Sequence, residues 1–433
     1  MNIHPLILDM QENMGPRLKV LLSCYACDPY HGSEPGAGWQ FMKLAAQTHE
    51  VHVITEKDEF EANITRYLRE HPGELENVTF HYIRRTHWNT LRKIWPPSYY
   101  WTYRAWQRKA YRYAAELDEK EHFDVIHHVN LGGYREAGFL WRLDKPFVWG
   151  PIGGLNQTAW CLIPCMDMRG AVLYGMRNIL NYFQKRWGYA ARVVAPRAEI
   201  IYSSDPLLFD DIRRYWHREP RLMREVGVTR LTEQKDICPH EPGTPLQVCW
   251  CGEQEPSKGL NLLLEALTQT KQPMCVHVMG RDGSMKEKWR AMAKRLGVDG
   301  QVVFHGCVPH EEVFSIMDAC HAYCISSIKE GGTTTVVFEA MQQGLPIVAL
   351  DHCGFASVVR EAHGLLVPLE NHRQITRDLA AALDKLALDE DLRVGIARHG
   401  LGCCGRFTWE AKKDVLNAAY EEAIQLHKEG KLG

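Results

Sequence analysis

Short apolar runs alternate with amphipathic stretches along most of the chain. The first run, KVLLS at residues 19–23, has no polar–apolar alternation, which predicts a buried strand of a parallel sheet covered on both faces. The strand-like runs that follow up to residue 204 are VHVIT, VTFHYI, FDVIHHV, KPFVWGP and AEIIYSS. Because helix-like segments separate several of them, the pattern predicts a doubly wound α/β domain, in which ligands bind beyond the carboxyl ends of the strands.

A second series of the same kind starts at residue 246. Its strand-like runs are LQVCWCG, MCVHVMG, QVVFHG, AYCISS, PIVAL and GLLVP, and the helix-like LNLLLEALTQ follows the first of them. Between about residues 205 and 243 the chain is charged, contains prolines and is weakly periodic, as expected of a domain boundary. The segment 409–427 has the 3.6-residue spacing of an amphipathic helix. The sequence therefore predicts two α/β domains and a closing helix.

The segment Ser326–Leu350, SSIKEGGTTTVVFEAMQQGLPIVAL, has the pattern of a ligand-binding turn. A strand ends, two glycines and three threonines follow, and a helix runs to about Gln343, where Gly344 fits its carboxyl-terminal cap. Glycines let a ligand approach the backbone, and a helix N-terminus offers unpaired N–H groups with a partial positive charge. The segment therefore predicts an anion site.

Two carboxylates lie beside this predicted anion site. Glu330 precedes the glycines, and Glu339 lies about two turns into the helix, where its side chain leans back toward the helix N-terminus. Carboxylates repel a phosphate, so their natural partners are hydroxyl groups, as on a ribose and a sugar. The alternative is that both are ordinary charges of a solvated surface and of a helix N-terminus.

The same segment resembles the E-x7-E region of the retaining glycosyltransferases of family 4. PLQVCWCGEQEPSKGLNLLLEAL is similar to that family's first donor-domain strand, G-R-x-x-x-x-K-G turn and helix. FHGCVPHEEVFSIMDACHAYCISS resembles the strand–helix–strand that follows, and CGRFTWEAKKDVLNAAY resembles the closing R-F-[ST]-W helix. The likeness covers most of residues 243–426, and it is looser in the amino-terminal half, through KVLLSCYACDP, GAGW and DVIHHV.

This resemblance implies the GT-B fold, which consists of two facing Rossmann-like domains with parallel sheets and a cleft between them. Residues 1–225 would form the acceptor-side domain, and residues 226–409 would bind the nucleotide-sugar donor. A helix at 410–433 would close the chain and return to the first domain.

The resemblance also implies roles for individual donor-side residues. Glu339 would accept hydrogen bonds from the ribose, and Glu330, with the backbone of Gly331 and Gly332, would hold the donor sugar. Lys258 would neutralise the diphosphate, which would be lined by Thr333, Thr334 and Thr335. Fixed donors and a cation can stabilise a leaving diphosphate without a metal, so neither a metal nor a cofactor is expected. The alternative for Lys258 is a surface lysine that starts a helix.

Two positions depart from the family pattern. Eight residues separate Glu330 from Glu339 where the motif has seven. Either a residue is inserted among the threonines, or Glu330 is not the sugar-binding carboxylate. Five positions before Lys258 the family has a phosphate-binding arginine, whereas this chain has Glu253, which repels phosphate. Another cation, such as Arg281 or a residue of the other domain, is then expected to compensate, or the donor lies differently.

In the amino-terminal half, a Gly-rich loop, GSEPGAGW, follows the first strand and leads into the helix-like WQFMKLAAQ. The resemblance implies that the backbone N–H groups of Gly36, Ala37 and Gly38 in this loop face the donor phosphate, whereas the role of the flanking Glu34 is open. His127 and His128 end a predicted strand at the expected cleft edge. The family motif D-x-x-H-x-H places its sugar-contacting histidine where this chain has Val129. We choose His128 for the cleft and for a catalytic role; the alternative is a packed structural histidine.

Composition limits the class of partner. With 51 Lys and Arg against 53 Asp and Glu, the net charge of -2 argues against a nucleic-acid partner. No apolar run approaches the roughly 18–20 residues of a membrane span, and Asp9 and Glu12 stand where a signal peptide would be basic, which predicts a cytoplasmic protein. The 14 cysteines are scattered along the chain, so reduced thiols are expected.

The near-neutral total conceals a basic and aromatic stretch at residues 84–113. It holds eight Lys or Arg, nine aromatic residues and no Asp or Glu, and the stretch YGMRNILNYFQKRWGYAAR at 174–192 is of similar kind. Cations mixed with rings suit a lipid headgroup region, which predicts a peripheral contact with the inner face of an anionic membrane. The alternatives are a helix packed on its domain, an oligomer contact or a site for an anionic sugar.

These features together predict a retaining glycosyltransferase that moves a hexose-like residue from a nucleotide diphosphate sugar to a hydroxyl of a glycan or lipid-linked saccharide. One alternative is a sugar-nucleotide epimerase or phosphorylase on the same scaffold. The other is a catalytically inactive sugar-nucleotide-binding protein. An epimerase would alter the sugar nucleotide without an acceptor, and a binding protein would never release the diphosphate.

Overall fold

A computed structural model of the chain describes residues 17–85, 98–229, 231 and 235–432. Its strands form two sheets, and the neighbouring strands of each sheet pair in parallel. The order in the first sheet is β3-β2-β1-β4-β5-β6-β7 and in the second β10-β9-β8-β11-β12-β13. The strands are β1 (Lys19–Cys24), β2 (Glu50–Glu56), β3 (Val78–Ile83), β4 (Val125–Asn130), β5 (Phe147–Ile152), β6 (Ile200–Ser203), β7 (Pro220–Leu222), β8 (Leu246–Cys251), β9 (Met274–Met279), β10 (Val302–Gly306), β11 (Ala322–Ile325), β12 (Ile347–Leu350) and β13 (Leu365–Val367).

Helices connect most of these strands, as parallel pairing requires. They are α1 (Ser33–Ala46), α2 (Lys57–Glu70), α3 (Ser98–Glu121), α4 (Met168–Trp187), α5 (Phe209–Trp216), α6 (Leu260–Leu267), α7 (Lys286–Leu296), α8 (His310–Asp318), α9 (Thr335–Gln342), α10 (Cys353–Glu361), α11 (His372–Leu388), α12 (Glu390–Cys403) and α13 (Lys413–Leu432). None of the helices in the described ranges has both the length and the apolar character to cross a membrane.

The central strands of both sheets are buried, in agreement with their unbroken apolar runs. Every residue of β4, β5, β11 and β12 is buried, and the apolar side chains of the two sheets form separate cores. The weakly periodic region near residues 205–243 nevertheless contains α5 and the short strand β7. Pro220 and Arg221 in a three-residue edge strand leave too little apolar pattern to identify it from the sequence.

The last helix, α13, packs on the first sheet although it follows the second in the chain. Leu416, Ala419, Tyr420 and Ala423 belong to the core of the first sheet. The Tyr420 hydroxyl lies 2.9 Å from Nδ1 of His127 on β4. The chain therefore crosses between the two halves twice, once near Glu225 and once before α13.

Candidate functional site

A cleft of about 470 Å³ lies between the carboxyl ends of the two sheets. The half of the molecule built on the first sheet contributes the start of α1, the end of β4 and the loop that follows β5. The half built on the second sheet contributes Lys258 and residues 330–335. Glu225, from the crossing segment in which the chain passes from the first half to the second, also lines the cleft. The two halves touch where the Gly154 N–H faces the Gly331 carbonyl oxygen at 3.4 Å. A ligand in this cleft contacts both domains, which is the position expected of a ligand of facing doubly wound sheets.

The glycine–threonine turn predicted from the sequence lies at the cleft wall. β11 ends at Ile325, the turn follows, and α9 begins at Thr335, which lines the cleft and whose helix leaves the N–H groups of its first turn without partners within the helix. The side-chain hydroxyls of Thr333 and Thr334 are buried and have no hydrogen-bond partner among the described residues. The turn thus offers backbone and side-chain donors to an anion.

Lys258 and Glu330 are brought together across the carboxyl edge of the second sheet. Nζ of Lys258 lies 2.6 Å from Oε1 of Glu330, and both line the cleft. Gly259 makes this possible: it has φ 62°, and a Cβ there would lie 2.3 Å from the carbonyl oxygen of Ser326. The glycine therefore lets the turn after β8 pack against the turn after β11.

Glu339 lies on α9 beyond the wall of this cleft. Its side chain is only 13% exposed, and Oε1 is 2.9 Å from Nε2 of the more exposed His310 at the start of α8. The carboxylate also lies close enough to Cys251 at the end of β8 to raise the pKa of that thiol further, after the larger effect of burial. Glu339 therefore lies between the end of β8 and the start of α8, outside the residues that line the cleft, at a position that we call the rim.

Glu253 and Arg281 form an ion pair instead of acting separately. Nη2 of Arg281 lies 3.6 Å from Oε2 of Glu253, and both side chains are exposed. Neither residue lines the cleft. Glu253, which stands where the family has a phosphate-binding arginine, is thus neutralised by Arg281, the cation that was expected to replace that arginine.

The small residues after β1 lie inside a helix and not in a loop. α1 begins at Ser33, so Gly36, Ala37 and Gly38 are in its first turns. Ala37 lines the cleft, whereas a Cβ on Gly38 would lie 2.2 Å from the carbonyl oxygen of Ala26. The helix starts earlier than the glycine-rich pattern predicts, because Gly38 lets it pack tightly against the loop after β1.

The histidines at the end of β4 point away from the cleft lining. His127 is buried between the Tyr420 hydroxyl and the carbonyl oxygen of Gly150, at 2.9 and 2.7 Å. His128 is also buried, and burial, followed by the neighbouring His127, lowers its pKa to about 4. The cleft is lined instead by Val129 and Asn130. The structure therefore does not bring His128 together with Lys258 and Glu330.

Several cleft residues were not singled out for a role by sequence patterns. Oε1 of Glu34 accepts a hydrogen bond from the Gly132 N–H at 2.7 Å, and burial raises the pKa of Glu34. Ser204, Arg177 and Glu225 also line the cleft. No local motif marks these three residues, which lie after a strand, on a helix and in the crossing segment. Glu34 could have been found from the sequence, because it flanks the predicted Gly-rich loop.

Glu225 is the most unusual of these residues. Its Oε2 atom is buried and has no hydrogen-bond partner among the described residues, and desolvation of the carboxyl group raises its pKa to about 7. The carboxyl group accepts a hydrogen bond from the Thr333 backbone and lies against Gly332. Glu225 therefore occupies the inner side of the same turn whose N–H groups suit an anion.

Comparisons with known proteins agree with this geometry. Residues 233–398 match the family model for glycosyl transferases group 1. The D-inositol 3-phosphate glycosyltransferase of Corynebacterium jeikeium is 29% identical over 315 residues, which cover 66% of this chain and 74% of that protein. The enzyme of that name from Segniliparus rotundus is 30% identical over 41% of this chain and 40% of its own. Apart from the alignment with the Corynebacterium jeikeium enzyme, the alignments with relatives such as these cover less than half of the relative's own length.

Solved structures share the fold over nearly the whole chain. Anabaena Alr3699/HepE, solved with UDP and glucose, has a TM-score of 0.60 and 15% identity, and the match covers 94% of this chain and 100% of that one. Sucrose-phosphate synthase of Thermosynechococcus elongatus has a TM-score of 0.62 and 16% identity, with coverage of 94% and 100%. This likeness confirms the predicted α/β architecture of two facing parallel sheets, the GT-B fold.

Proposed function

We propose that this protein, a glycosyltransferase by its group 1 domain and its relatives, is a retaining enzyme of family 4. It transfers a hexose-like sugar from a nucleotide diphosphate sugar to a hydroxyl of a glycan or lipid-linked saccharide. The observation that carries the proposal is the position of Lys258 and Glu330, 2.6 Å apart beside the N-terminus of α9 in an interdomain cleft. A cation, helix N–H groups and a carboxylate match the phosphates and hydroxyls of such a donor.

In this proposal the donor lies along the second sheet. The diphosphate binds the N–H groups and hydroxyls of Thr333, Thr334 and Thr335 and is neutralised by Lys258, so that no metal is needed. The sugar hydroxyls bind Glu330 and the backbone of the adjacent glycines. The ribose binds Glu339 at the rim and takes the place of His310 as its partner. The presence of UDP and glucose in the structure of Anabaena Alr3699/HepE supports a donor of this class.

The proposed reaction needs no protein nucleophile. The bond between the sugar C1 and the leaving phosphate oxygen breaks, and the acceptor oxygen bonds to C1 from the same face. The acceptor proton passes to the leaving phosphate oxygen, so that charge and atoms balance. Lys258 and the α9 N–H groups stabilise the negative charge that develops on the diphosphate. His128 acts in this scheme only through packing, because its ring is buried behind the cleft wall.

We also propose that the protein is cytoplasmic and contacts the inner face of a membrane through the basic and aromatic stretch at 84–113. Residues 86–97 lie outside the described part of the chain. Within α3, Arg108 and Arg112 are exposed, whereas Arg104 lies 3.4 Å from Glu136. In this proposal the same half of the molecule forms the acceptor side of the cleft, so that the membrane contact would bring a membrane-anchored acceptor close to it.

The function is tested by incubating the protein with sugar nucleotides. A thermal-shift screen first identifies the donor, because a ligand that binds only the folded protein raises its melting temperature. Transfer to a saccharide acceptor is then followed by release of the nucleoside diphosphate, and the configuration of the new bond by NMR. Inversion at C1 would contradict the retaining mechanism. A changed sugar nucleotide without acceptor would indicate an epimerase.

Replacing Glu339 by alanine should weaken binding of the nucleotide sugar about 10–100-fold. The ribose hydroxyls lose a charged hydrogen-bond acceptor, and such bonds contribute about 1.5–3 kcal/mol. Calorimetric titration with the nucleotide identified by the screen measures the effect. Glu311→Ala, a change at an exposed carboxylate on α8, is the matched control. Unchanged affinity of Glu339→Ala for every nucleoside diphosphate would place the ribose elsewhere.

A further inference from the structure

Helix α4 buries three polar side chains and exposes most of its large apolar side chains. Asn178, Asn181 and Lys185 are buried. Six large apolar side chains at helical spacing are between 51% and 63% exposed. They are Leu173, Met176, Ile179, Leu180, Phe183 and Trp187, and they form what we call the α4 apolar face. This is the reverse of the usual arrangement of a surface helix.

Hydrogen bonds and an ion pair of the buried polar side chains fix the orientation of α4 about its own axis. Asn178 and Thr158 exchange two hydrogen bonds of 2.8 and 2.7 Å between side chain and backbone. Asn181 donates to the carbonyl oxygen of Leu155 at 2.7 Å, and Nζ of Lys185 lies 2.6 Å from a carboxylate oxygen of Asp211. Turning the apolar face inward would leave these polar groups without partners, which is costly. The outward apolar face is therefore built into the fold.

The segment that carries this face is rich in positive charge. Residues 168–198 contain six Lys or Arg and no Asp or Glu. Lys185 pairs inward with Asp211, but Arg169, Arg177 and Arg186 form no ion pair with any carboxylate of the described ranges. An apolar face with a cationic border matches an anionic lipid surface. Two such faces from two copies of the chain would repel each other, which argues against a dimer contact.

The α4 apolar face is continuous with the basic helix α3. The guanidinium of Arg108 on α3 lies 5.4 Å from the ring of Phe139, whose ring centre is 6.3 Å from that of Tyr189 just after α4. Arg135, in the same loop region as Phe139, donates to Asn181 of α4 at 2.6 Å. The two helices therefore belong to one surface.

This surface adjoins the mouth of the cleft. Arg177 on α4 lines the cleft itself. The bonds from Asn178 and Asn181 hold the loop at 155–158, which directly follows the cleft-lining Gly153 and Gly154. Because a helix with side chains is about 10–12 Å across, a membrane on the outer side of α4 would lie within roughly that distance of the cleft.

We propose that the α4 apolar face inserts into the headgroup region of an anionic membrane and presents the cleft to an acceptor anchored in that membrane. The second half of this statement rests on the proposed transferase function, whereas the membrane contact does not. The apolar side chains of this face would insert among the lipid headgroups, and the cations of α3 and α4 would attract the anionic lipids.

Sedimentation with vesicles tests the proposal. We expect the full chain to sediment with phosphatidylcholine vesicles that contain phosphatidylglycerol, and much less with phosphatidylcholine alone. The variant Leu173→Ser/Ile179→Ser/Phe183→Ser should lose vesicle binding at least tenfold. The control Val303→Ser/Leu388→Ser changes exposed apolar residues of the other half and should bind like the parent. Equal sedimentation of the triple variant and the parent would overturn the proposal.

Two further measurements distinguish insertion from attraction by charge alone and from self-association. Neutralising Arg104, Arg108, Lys109 and Arg112 should reduce binding at low salt only, because salt screens charge but not insertion. A parent that forms dimers in sedimentation velocity and ignores vesicles would overturn the proposal and show that the face is a contact between copies. Donor binding in solution should be the same in the triple variant and the parent. A protein that binds vesicles but no sugar nucleotide would contradict the proposed function and leave the membrane contact intact.

Discussion

Replacing Lys258 by methionine should lower kcat by about 10²–10³-fold. The side chain of Lys258 pairs with Glu330 and lines the cleft together with Thr335, the first residue of α9. In the proposed reaction it offsets the charge that develops on the leaving diphosphate, and losing one such fixed group costs about 10²–10³ in rate. Methionine keeps the unbranched apolar part of the side chain, so packing around the turn after β8 is preserved.

Release of nucleoside diphosphate in single-turnover experiments measures this effect. Lys258→Arg keeps the charge and should retain more activity than Lys258→Met. The matched control is Lys286→Met, because Lys286 pairs with Asp282 on the same half but does not line the cleft. A Lys258→Met enzyme with the parent's kcat would show that the leaving group is stabilised by other groups.

The contribution of Glu225 to stability should fall as the pH rises from about 4.5 to about 7, and Glu225→Gln should remove that fall. Burial raises the pKa of Glu225 from 4.5 to about 7, while the nearby Lys412 opposes the shift and Asp205 adds to it. In this range the Glu225 carboxyl group binds more protons in the folded protein than in the unfolded chain, so its contribution to the free energy of unfolding falls with increasing pH. A shift of this size corresponds to at most about 3 kcal/mol.

Urea unfolding at pH 5, 6 and 7 measures the difference between Glu225→Gln and the parent. The two should be similar at pH 5, where glutamine mimics the protonated acid, and the variant should be the more stable at pH 7. Burial also lowers the pKa of Lys412 from 10.5 to about 7, which makes stability rise only above pH 7, outside this range. Glu253→Gln, a change at an exposed carboxylate, should follow the parent's profile. A constant difference between Glu225→Gln and the parent would mean that Glu225 is ionised throughout.

The turn at Gly331–Thr335 and the helix after it could be predicted because their signals are local. A strand end, glycines and a helical spacing lie within a few residues of one another, and each restricts the backbone directly. The start of α1 was misplaced by the same kind of argument. Its glycines indicate a loop by propensity, whereas the contact of Gly38 with the Ala26 carbonyl shows that they permit close packing of a helix.

The histidine assignment shows the limit of strand patterns. FDVIHHV correctly predicts β4, but the pattern does not tell which side chains reach the cleft. His127 is held by Tyr420, a residue 293 positions later in the chain, and His128 is buried beside it. The return of α13 to the first sheet therefore places His127 in a packed polar pair.

The sequence by itself determined two parallel α/β sheets and a glycine–threonine turn at the start of α9, because periodicity and turn chemistry act between near neighbours. Only the tertiary structure decided that Lys258 meets Glu330, 72 residues away, and that Glu225 lies under the same turn. It also decided that α4 turns its asparagines inward and its apolar face outward. An amphipathic pattern defines two faces of a helix, but the polar partners of the surrounding fold decide which of them is buried.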